Sequence, residues 1–166
     1  MKSLPIVALL VLALACLYAP STASAYGLSA IGARIGSVDP DGAGSALEIG
    51  GHLEFEQSGS RLHLQPGVMY WSSDNVSDVN PNFDLMYHFA SAGRVSPYVG
   101  GGAGLHFYNV DTPFGSSGNT DLGANMFGGV LVPMSDVRLF GEARFVASDR
   151  SQFGITGGVT MPFGNH

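Results

Sequence analysis

Hydrophobic and polar residues alternate along most of this chain. In the segment 137–147 (VRLFGEARFVA), Phe145 belongs to a largely apolar face, whereas Glu142 and Arg144 belong to the other. A period of two places successive side chains on opposite faces of a β-strand. The segment 152–163 alternates in the same way after a short SDRS turn, which predicts an antiparallel hairpin.

The same pattern recurs along the chain and predicts eight strands in an all-β fold. Clusters of Gly, Pro, Asp, Asn and Ser separate the strands. Long polar connections are predicted at 37–44, 72–81 and 110–120, and shorter ones elsewhere, including 148–151. The predicted strands span 28–36, 45–56, 61–71, 82–91, 97–109, 121–133, 137–147 and 152–163.

The second and third strands allow a register to be predicted. A two-residue loop at Ser58 and Gly59 makes opposite charges meet on one face and apolar residues meet on the other. The predicted facing pairs are Glu56 with Arg61, Glu54 with His63, and Phe55 with Leu62.

The N-terminus carries a different signal. A positive start at Lys2 precedes the apolar run 4–17, and small residues then lead to an Ala-x-Ala ending at Ala25. This pattern is typical of a secretory signal peptide, and the apolar run is shorter than the roughly 20 residues of a spanning helix. The expected organisation is a signal peptide at 1–25 and one barrel domain at 26–166.

Composition narrows the possible functions of the mature chain. Cys16 and Lys2 are the only cysteine and lysine and lie in the signal peptide, so no disulfide or thiol chemistry is expected. The remaining 141 residues hold six Arg against thirteen Asp and Glu, a formal charge of −7. Such a surface argues against nucleic-acid binding. A membrane location would require a closed barrel, because open sheet edges cannot face lipid.

These features together resemble the small eight-stranded outer-membrane barrels of the OmpA transmembrane-domain and OmpX type. The resemblance rests on the signal peptide, the strand count, the alternation, the long and short connections and a last strand ending at Phe163. Members of that class usually end on the aromatic residue that the assembly machinery reads, whereas three residues follow Phe163 here.

The resemblance implies an eight-stranded antiparallel up-and-down transmembrane β-barrel in the outer membrane of a Gram-negative bacterium. Its expected partners are outer-membrane lipid and lipopolysaccharide, the outer-membrane assembly machinery and an extracellular ligand at the loops, with a monomer as the default. The expected role is membrane structure or surface interaction through long acidic outer loops, without enzymatic activity. The aspartates predicted in those loops are Asp39, Asp41, Asp74, Asp78, Asp111 and Asp121.

In such a barrel one face of each strand meets lipid and the other lines the lumen. The predicted lumen polar network is Arg34, Glu48, His52, Glu54, Arg61, His63, Asp84, His88, His106, Glu142 and Arg144. Aromatic residues on the lipid face are predicted in two belts. The outer belt is Tyr70, Phe83, Phe107, Phe145 and Phe153, and the periplasmic belt is Phe55, Phe89 and Phe163.

The lumen set is interpreted as a structural filling, because eight strands enclose a space just wide enough for side chains. Asn125 and Thr156 are predicted neighbours of Arg144, and Gly100, Gly102 and Gly104 are predicted to make room for large neighbours such as Phe127 or Arg144. The histidines lack the spacing of a metal motif, so neither a metal nor a cofactor is expected.

Two alternatives remain open. One is a lipid A-modifying outer-membrane enzyme, although the segment 145–153 contains Ser148 and Ser151 without a histidine. The other is a soluble periplasmic barrel with inverted faces, which would bury the aromatic residues around an apolar ligand and expose Glu48, His52 and Glu142.

Overall fold

The computed structural model describes residues 26–73, 75–90, 94–113 and 115–163, so the predicted signal peptide and the residues after Phe163 lie outside the described part. Within this part, no helix is long and apolar enough to cross a membrane. The strands are β1 (Gly27–Pro40), β2 (Ala46–Glu56), β3 (Leu62–Ser73), β4 (Val76–His88), β5 (Ser96–Thr112), β6 (Gly115–Pro133), β7 (Arg138–Ala147) and β8 (Gln152–Pro162).

The eight strands form one closed barrel in which every strand pairs with its neighbours in sequence. All pairings are antiparallel, and β1 pairs with β8 to close the ring. The predicted fold class is therefore confirmed. Gly27 and Pro162 lie at the same end of the barrel, which we call the terminal end, and the opposite end is the hairpin end.

The strands are strongly staggered around the barrel. A path of paired residues that starts on β6 returns to β6 ten residues away from its start. A stagger of this size in an eight-stranded barrel corresponds to a strand tilt of about 40°. Ten or eleven residues then rise roughly 25 Å, which is the height of the apolar band of outer-membrane barrels. The path is Val130, Gly141, Gly157, Ile35, Ile49, Tyr70, Val79, Phe107 and Thr120.

The long connections predicted at the hairpin end are wrong. Residues 72–81 mostly belong to β3 and β4, and residues 110–120 mostly belong to β5 and β6, so two residues join the strands in each case. The connection predicted at 37–44 is shortened by β1, which runs to Pro40. The polar segments at 72–81 and 110–120 are therefore mostly strand extensions rather than loops.

Pro81 explains why one of these segments has a loop-like sequence. Its register position on β4 is opposite Leu105 on β5, where the ladder between Val79 and Asn82 is interrupted because proline has no N–H group. The side chain of Asn80 fills the gap, since its Nδ2 donates to the Leu105 carbonyl at 3.2 Å. A strand can therefore accommodate this proline without an unpaired carbonyl.

The predicted register between β2 and β3 is wrong by two residues, so none of the three predicted pairs forms. Glu56 pairs with His63 instead of Arg61, because the connection contains five residues rather than two. Inside it, the Ser60 N–H donates to the Gln57 carbonyl at 2.9 Å. A shift of two residues leaves each side chain on its original face.

The two faces of the barrel wall have opposite polarity. Exposed apolar side chains cover the outside, including Leu122 and Met126 on β6, whereas most of the buried charged side chains point inside. Glycines make room where large inward side chains meet the wall. A Cβ on Gly100 would collide with the Phe127 ring, as the sequence predicted, whereas a Cβ on Gly141 would meet nothing within 4 Å.

We expect Gly100→Ala to lower the free energy of unfolding by about 2 kcal/mol, because the Phe127 ring must shift inside a filled interior. Urea titrations of the barrel in lipid vesicles, followed by gel mobility of unheated samples, measure the change. Gly141→Ala is the matched control and should change stability by less than about 0.5 kcal/mol. Equal stability of the two variants would contradict the conclusion that the Phe127 ring occupies the space beside Gly100.

Candidate functional site in the barrel interior

Two arginines and two acids form a cluster at mid-height, which we call the central cluster. Arg144 on β7 donates to Asp84 on β4 at 2.7 Å and to Glu142 at 3.0 Å. Arg34 on β1 donates to the same Glu142 carboxylate at 3.2 Å. Asn125 adds a hydrogen bond to Asp84 at 2.9 Å. The cluster therefore links strands from opposite sides of the barrel.

Neutral side chains complete the central cluster. Arg34 Nη2 donates to Gln65 Oε1 at 2.9 Å and lies 3.3 Å from His52 Nδ1. The Tyr98 hydroxyl donates to the second oxygen of Glu142 at 3.1 Å. The Arg144 guanidinium also lies 4.2 Å from the centre of the Phe127 ring, a cation–π distance. Each charge in the cluster thus has several partners, which buried charges require.

A second group, the terminal cluster, gathers around Glu54. Arg138 Nη2 donates to Glu54 Oε2 at 2.6 Å, and His52 Nε2 lies 3.6 Å from Glu54 Oε1. His63 Nδ1 lies 4.0 Å from Glu54 Oε2, and the His63 ring packs against His88 with ring centres 4.3 Å apart and ring planes tilted by 42°. A cavity between the terminal and central clusters measures about 10 Å³, which is about one water-sized sphere.

A third group, the hairpin-end cluster, was missed by the sequence analysis apart from His106. His106 Nδ1 lies 2.6 Å from Asp78 Oδ2, and the His106 ring stacks on Tyr108. Gln152 donates to the Tyr108 hydroxyl at 2.9 Å and accepts from Trp71 Nε1 at 3.2 Å. Asp78 was assigned to a loop, but its alternation with Asn80 and Asn82 is the signal that would have placed it inside.

The structure places most of the predicted lumen residues inside the barrel, with one correction. Arg61 is exposed in the connection before β3 and takes no part in the interior. His88 is half-buried, and Glu48 is buried close enough to Arg34 and Arg144 of the central cluster to interact electrostatically with both. Thr156 is buried but does not hydrogen-bond to Arg144, whereas Asn125 reaches Arg144 through their shared partner Asp84. The other predicted residues, all buried, are Arg34, His52, Glu54, His63, Asp84, His106, Glu142 and Arg144.

Among the described residues, the interior brings the Thr160 hydroxyl to within 3.3 Å of His52 Nε2, but Thr160 is fully buried, so this pair is closed off from any substrate. His106 is oriented by Asp78, but its Nε2 has no hydrogen-bond partner among the described residues. Ser148 contacts the Tyr108 hydroxyl and the Arg150 carbonyl instead. In the part of the chain that the structure describes, no group of three or more His, Cys, Asp and Glu side chains is arranged to hold a metal ion.

The aromatic residues of the outer face largely follow two levels. Phe145 pairs directly with Phe153, and Tyr70 and Phe107 flank the same residue, Val79. Phe83 lies four residues from Val79 towards the terminal end, so its assignment to the belt at the hairpin end is corrected. Phe89 and Phe163 are exposed near the terminal end, and Phe55 is half-buried there.

A closed eight-stranded barrel with an apolar outside and a charged, filled inside has the architecture of the small transmembrane β-barrels. Solved structures show the same fold. The barrel is similar to Neisserial surface protein A (NspA), with a TM-score of 0.69 and 16% identity over 83% of this chain and 99% of that chain.

Two further structures share this architecture. The N-terminal barrel domain of Pseudomonas aeruginosa OprF has a TM-score of 0.67 and 16% identity over 82% of this chain and 99% of that chain. The outer membrane enzyme PagL has a TM-score of 0.51 and 15% identity over 81% of this chain and 99% of that chain. No protein-family model matches the chain, and no curated protein sequence matches it.

We expect Glu142→Ala and Arg144→Ala each to lower the free energy of unfolding by about 3 kcal/mol or more, because each leaves a buried charge short of a partner. The double variant should cost less than the sum of the two. Urea unfolding in vesicles measures the coupling. Pairing Arg144→Ala with the distant, exposed Asp149→Ala provides the additive control. Strict additivity of the first pair would rule out a direct energetic link.

Proposed function

We propose that this protein is an integral outer-membrane barrel that acts without catalysis, in membrane structure or in contacts at the cell surface. The observation that supports the proposal is the reversed polarity of a closed barrel, with large apolar side chains outside and ion pairs inside. The terminal end would face the periplasm and the hairpin end the exterior, because β5 and β6 extend beyond β7 and β8 at the hairpin end.

The alternative of a soluble ligand-binding barrel is disfavoured by the same polarity. A soluble monomer rarely exposes an apolar patch larger than a few hundred Å². Here the exposed apolar side chains occur on every strand, for example Ile35 on β1, Phe83 on β4 and Ile155 on β8. The interior that would have to hold an apolar ligand contains the central cluster instead.

The filled interior favours a barrel that does not conduct. The three clusters follow one another along the barrel, and the cavity of about 10 Å³ between two of them is too small for a hydrated ion. At the hairpin end the Arg150 guanidinium lies 5.9 Å from the centre of the Tyr108 ring, above the hairpin-end cluster. A path for solutes would require several ion pairs to separate.

An outer-membrane enzyme is the second candidate, because PagL shows that this fold also occurs in an enzyme. Two contacts among the described residues are catalytic-like: His52 Nε2 lies 3.3 Å from the hydroxyl of Thr160, which is fully buried, and Asp78 hydrogen-bonds to His106. His106 is only 1% exposed and lacks a hydroxyl partner at its Nε2 among the described residues, so this pair fits a structural role better.

In a Gram-negative host, we expect the full-length protein to fractionate with the outer membrane and to migrate differently on gels before and after heating, because a lipid-embedded barrel resists unfolding by detergent. Sucrose-gradient fractions with immunoblotting measure the location. Signal-peptide-cleaved periplasmic proteins and an inner-membrane marker serve as controls. Recovery in the soluble periplasmic fraction would refute the proposed location.

We expect the purified barrel to form no large, stable channels in planar lipid bilayers, because the central cluster closes the lumen. A variant with Arg34, Tyr98 and Arg144 all replaced by Ala should conduct if it retains the heat-dependent gel shift of a folded barrel. Stable channels formed by the unmodified monomer would contradict the closed interior. Gly141→Ala is the control for the effect of substitution itself, since it removes no interior contact.

A further inference from the structure

A groove crosses the outer wall of the barrel from β3 to β8, and we call it the diagonal groove. It has a volume of about 640 Å³ and an almost entirely apolar lining. A row of paired residues on β3 to β7 forms its lower wall, on the side of the terminal end: Leu62, Tyr87, Val99, Gly128 and Ala143. The next row towards the hairpin end forms the upper wall with Leu85, Met126, Phe145 and Phe153.

The groove is deep because side chains are missing from the outer face. Gly101 interrupts the upper row between β4 and β6, and Gly128 interrupts the lower row. Gly100 and Phe127 lie between the two rows, and since the Phe127 side chain is buried inside, main chain forms the floor. A Cβ on Gly128 would meet no atom closer than 3.6 Å, so the space above it is open.

The diagonal groove rises from the terminal end towards the middle of the barrel wall. Each step to the next strand, in the order β3 to β7, climbs towards the hairpin end because the strands are staggered in that direction. Four steps of about 4.8 Å at a strand tilt of about 40° climb roughly 12 Å. That is about half of an apolar band of roughly 25 Å. The lower row therefore spans about one leaflet of a bilayer.

The mouth of the groove lies at the level where lipid headgroups begin. Leu62 is the first residue of β3, and the Tyr87 ring packs edge-on against Phe89 with ring centres 5.2 Å apart. Tyrosine at the end of an apolar wall is typical of a membrane interface. The exposed Arg61 directly precedes Leu62, and the exposed Arg94 lies in the connection between β4 and β5. The mouth on β3 and β4 therefore has an arginine on each side.

Charge differs between the two ends of the barrel and selects the occupant of the groove. Asp39 and Asp149 are exposed at the hairpin end, where the connection 148–151 holds a single Arg. That rim repels anionic headgroups, whereas Arg61 and Arg94 at the groove mouth attract them. Guanidinium groups bind phosphate through paired, charge-assisted hydrogen bonds. An occupant that enters at the terminal end therefore carries a phosphate beside its hydrocarbon chain.

A second copy of the barrel fits the groove less well than a lipid chain. Two copies in one membrane pack about a two-fold axis along the membrane normal. Their diagonal grooves slope in the same sense when seen from outside, so two facing grooves would cross rather than interlock. Each groove would then stay open over most of its length, whereas a hydrocarbon chain can bend to follow the diagonal.

We propose that the diagonal groove binds one acyl chain of an anionic glycerophospholipid from the periplasmic leaflet, with the phosphate of this lipid between Arg61 and Arg94. The proposal rests on the proposed outer-membrane location and adds a specific lipid to it. The two arginines select the headgroup, and the missing side chains at Gly101 and Gly128 accommodate the chain. A lipid held in this way stays with the barrel while the surrounding lipids exchange.

Native mass spectrometry of the full mature barrel in a neutral detergent tests the binding, with dioleoyl phosphatidylglycerol as the probe. We expect one molecule to bind about ten-fold more tightly than phosphatidylcholine with the same chains, because choline cancels the negative charge that the arginines attract. Glycerol 3-phosphate, which has no chain, should not compete at equal concentration. Equal affinity for the two lipids, no binding of the probe, or competition by glycerol 3-phosphate would overturn the proposal.

Matched variants locate the lipid on the barrel. Gly128→Leu fills the groove and should weaken phosphatidylglycerol binding about ten-fold, whereas Gly141→Leu places the same side chain on the lipid face outside the groove and should change it less than about two-fold. Arg61→Gln should weaken binding about five-fold, and Arg150→Gln, which removes the same charge at the hairpin end, should leave it unchanged. Equal effects within either pair would overturn the assigned groove or the assigned mouth. A dimer that Gly128→Leu abolishes would assign the groove to a second copy instead.

Failure of lipid binding and failure of the proposed location give different results. The heat-dependent gel shift and fractionation with the outer membrane are measured on the same variants. A barrel that fractionates correctly but binds no phosphatidylglycerol overturns the lipid site and leaves the proposed function standing, whereas recovery in the soluble periplasm removes both. If Gly128→Leu lacks the gel shift, Ala143→Leu fills the same groove at a second point and should weaken binding in the same way.

Discussion

The charge of Arg144 inside a closed ring of strands is the constraint on which the rest of the interior depends. A guanidinium cannot lose its proton in a protein, so a buried arginine needs acceptors within hydrogen-bond reach. Asp84 and Glu142 supply them at 2.7 and 3.0 Å, and Glu142 in turn holds Arg34. Because Asp84 lies 60 positions from Arg144 in the sequence, only closure of the barrel brings these partners together.

The space needed by this network explains where glycines occur on the inward face. A Cβ on Gly102 would collide with Asp84, and one on Gly129 would collide with Tyr98 and the wall. Both neighbours belong to the central cluster or hydrogen-bond to it. The interior of an eight-stranded barrel is only wide enough for side chains to fill it. A large polar side chain therefore fits where the facing residue on the wall is a glycine. The paired charges and the positions of these glycines thus both follow from packing large polar side chains into a limited interior volume.

The sequence predicted the fold and the sorting of side chains well, because both depend only on a period of two. Glu54 and His63 stayed on the inner face although their predicted register was wrong, since a slip of two residues preserves the faces. The predicted ends of β3 to β6 at the hairpin end were wrong for a different reason. Asp78 and Asn80 are polar because they point inside, and beside Pro81 they have the composition of a loop. Alternation of polar and apolar residues distinguishes a strand with an inward polar face from a loop, whereas composition does not.

Closure of a barrel gives every strand two hydrogen-bonded neighbours only over the height that all the strands share. Within the height of the apolar band every strand has two neighbours, which lipid requires because it offers no hydrogen bonds. Above that band β5 and β6 continue while β7 and β8 have already turned at 148–151, so the edge of β6 opens where water can satisfy it. The unequal strand lengths therefore leave every described strand paired on both sides within the apolar band and confine the unpaired edge of β6 to the water above it.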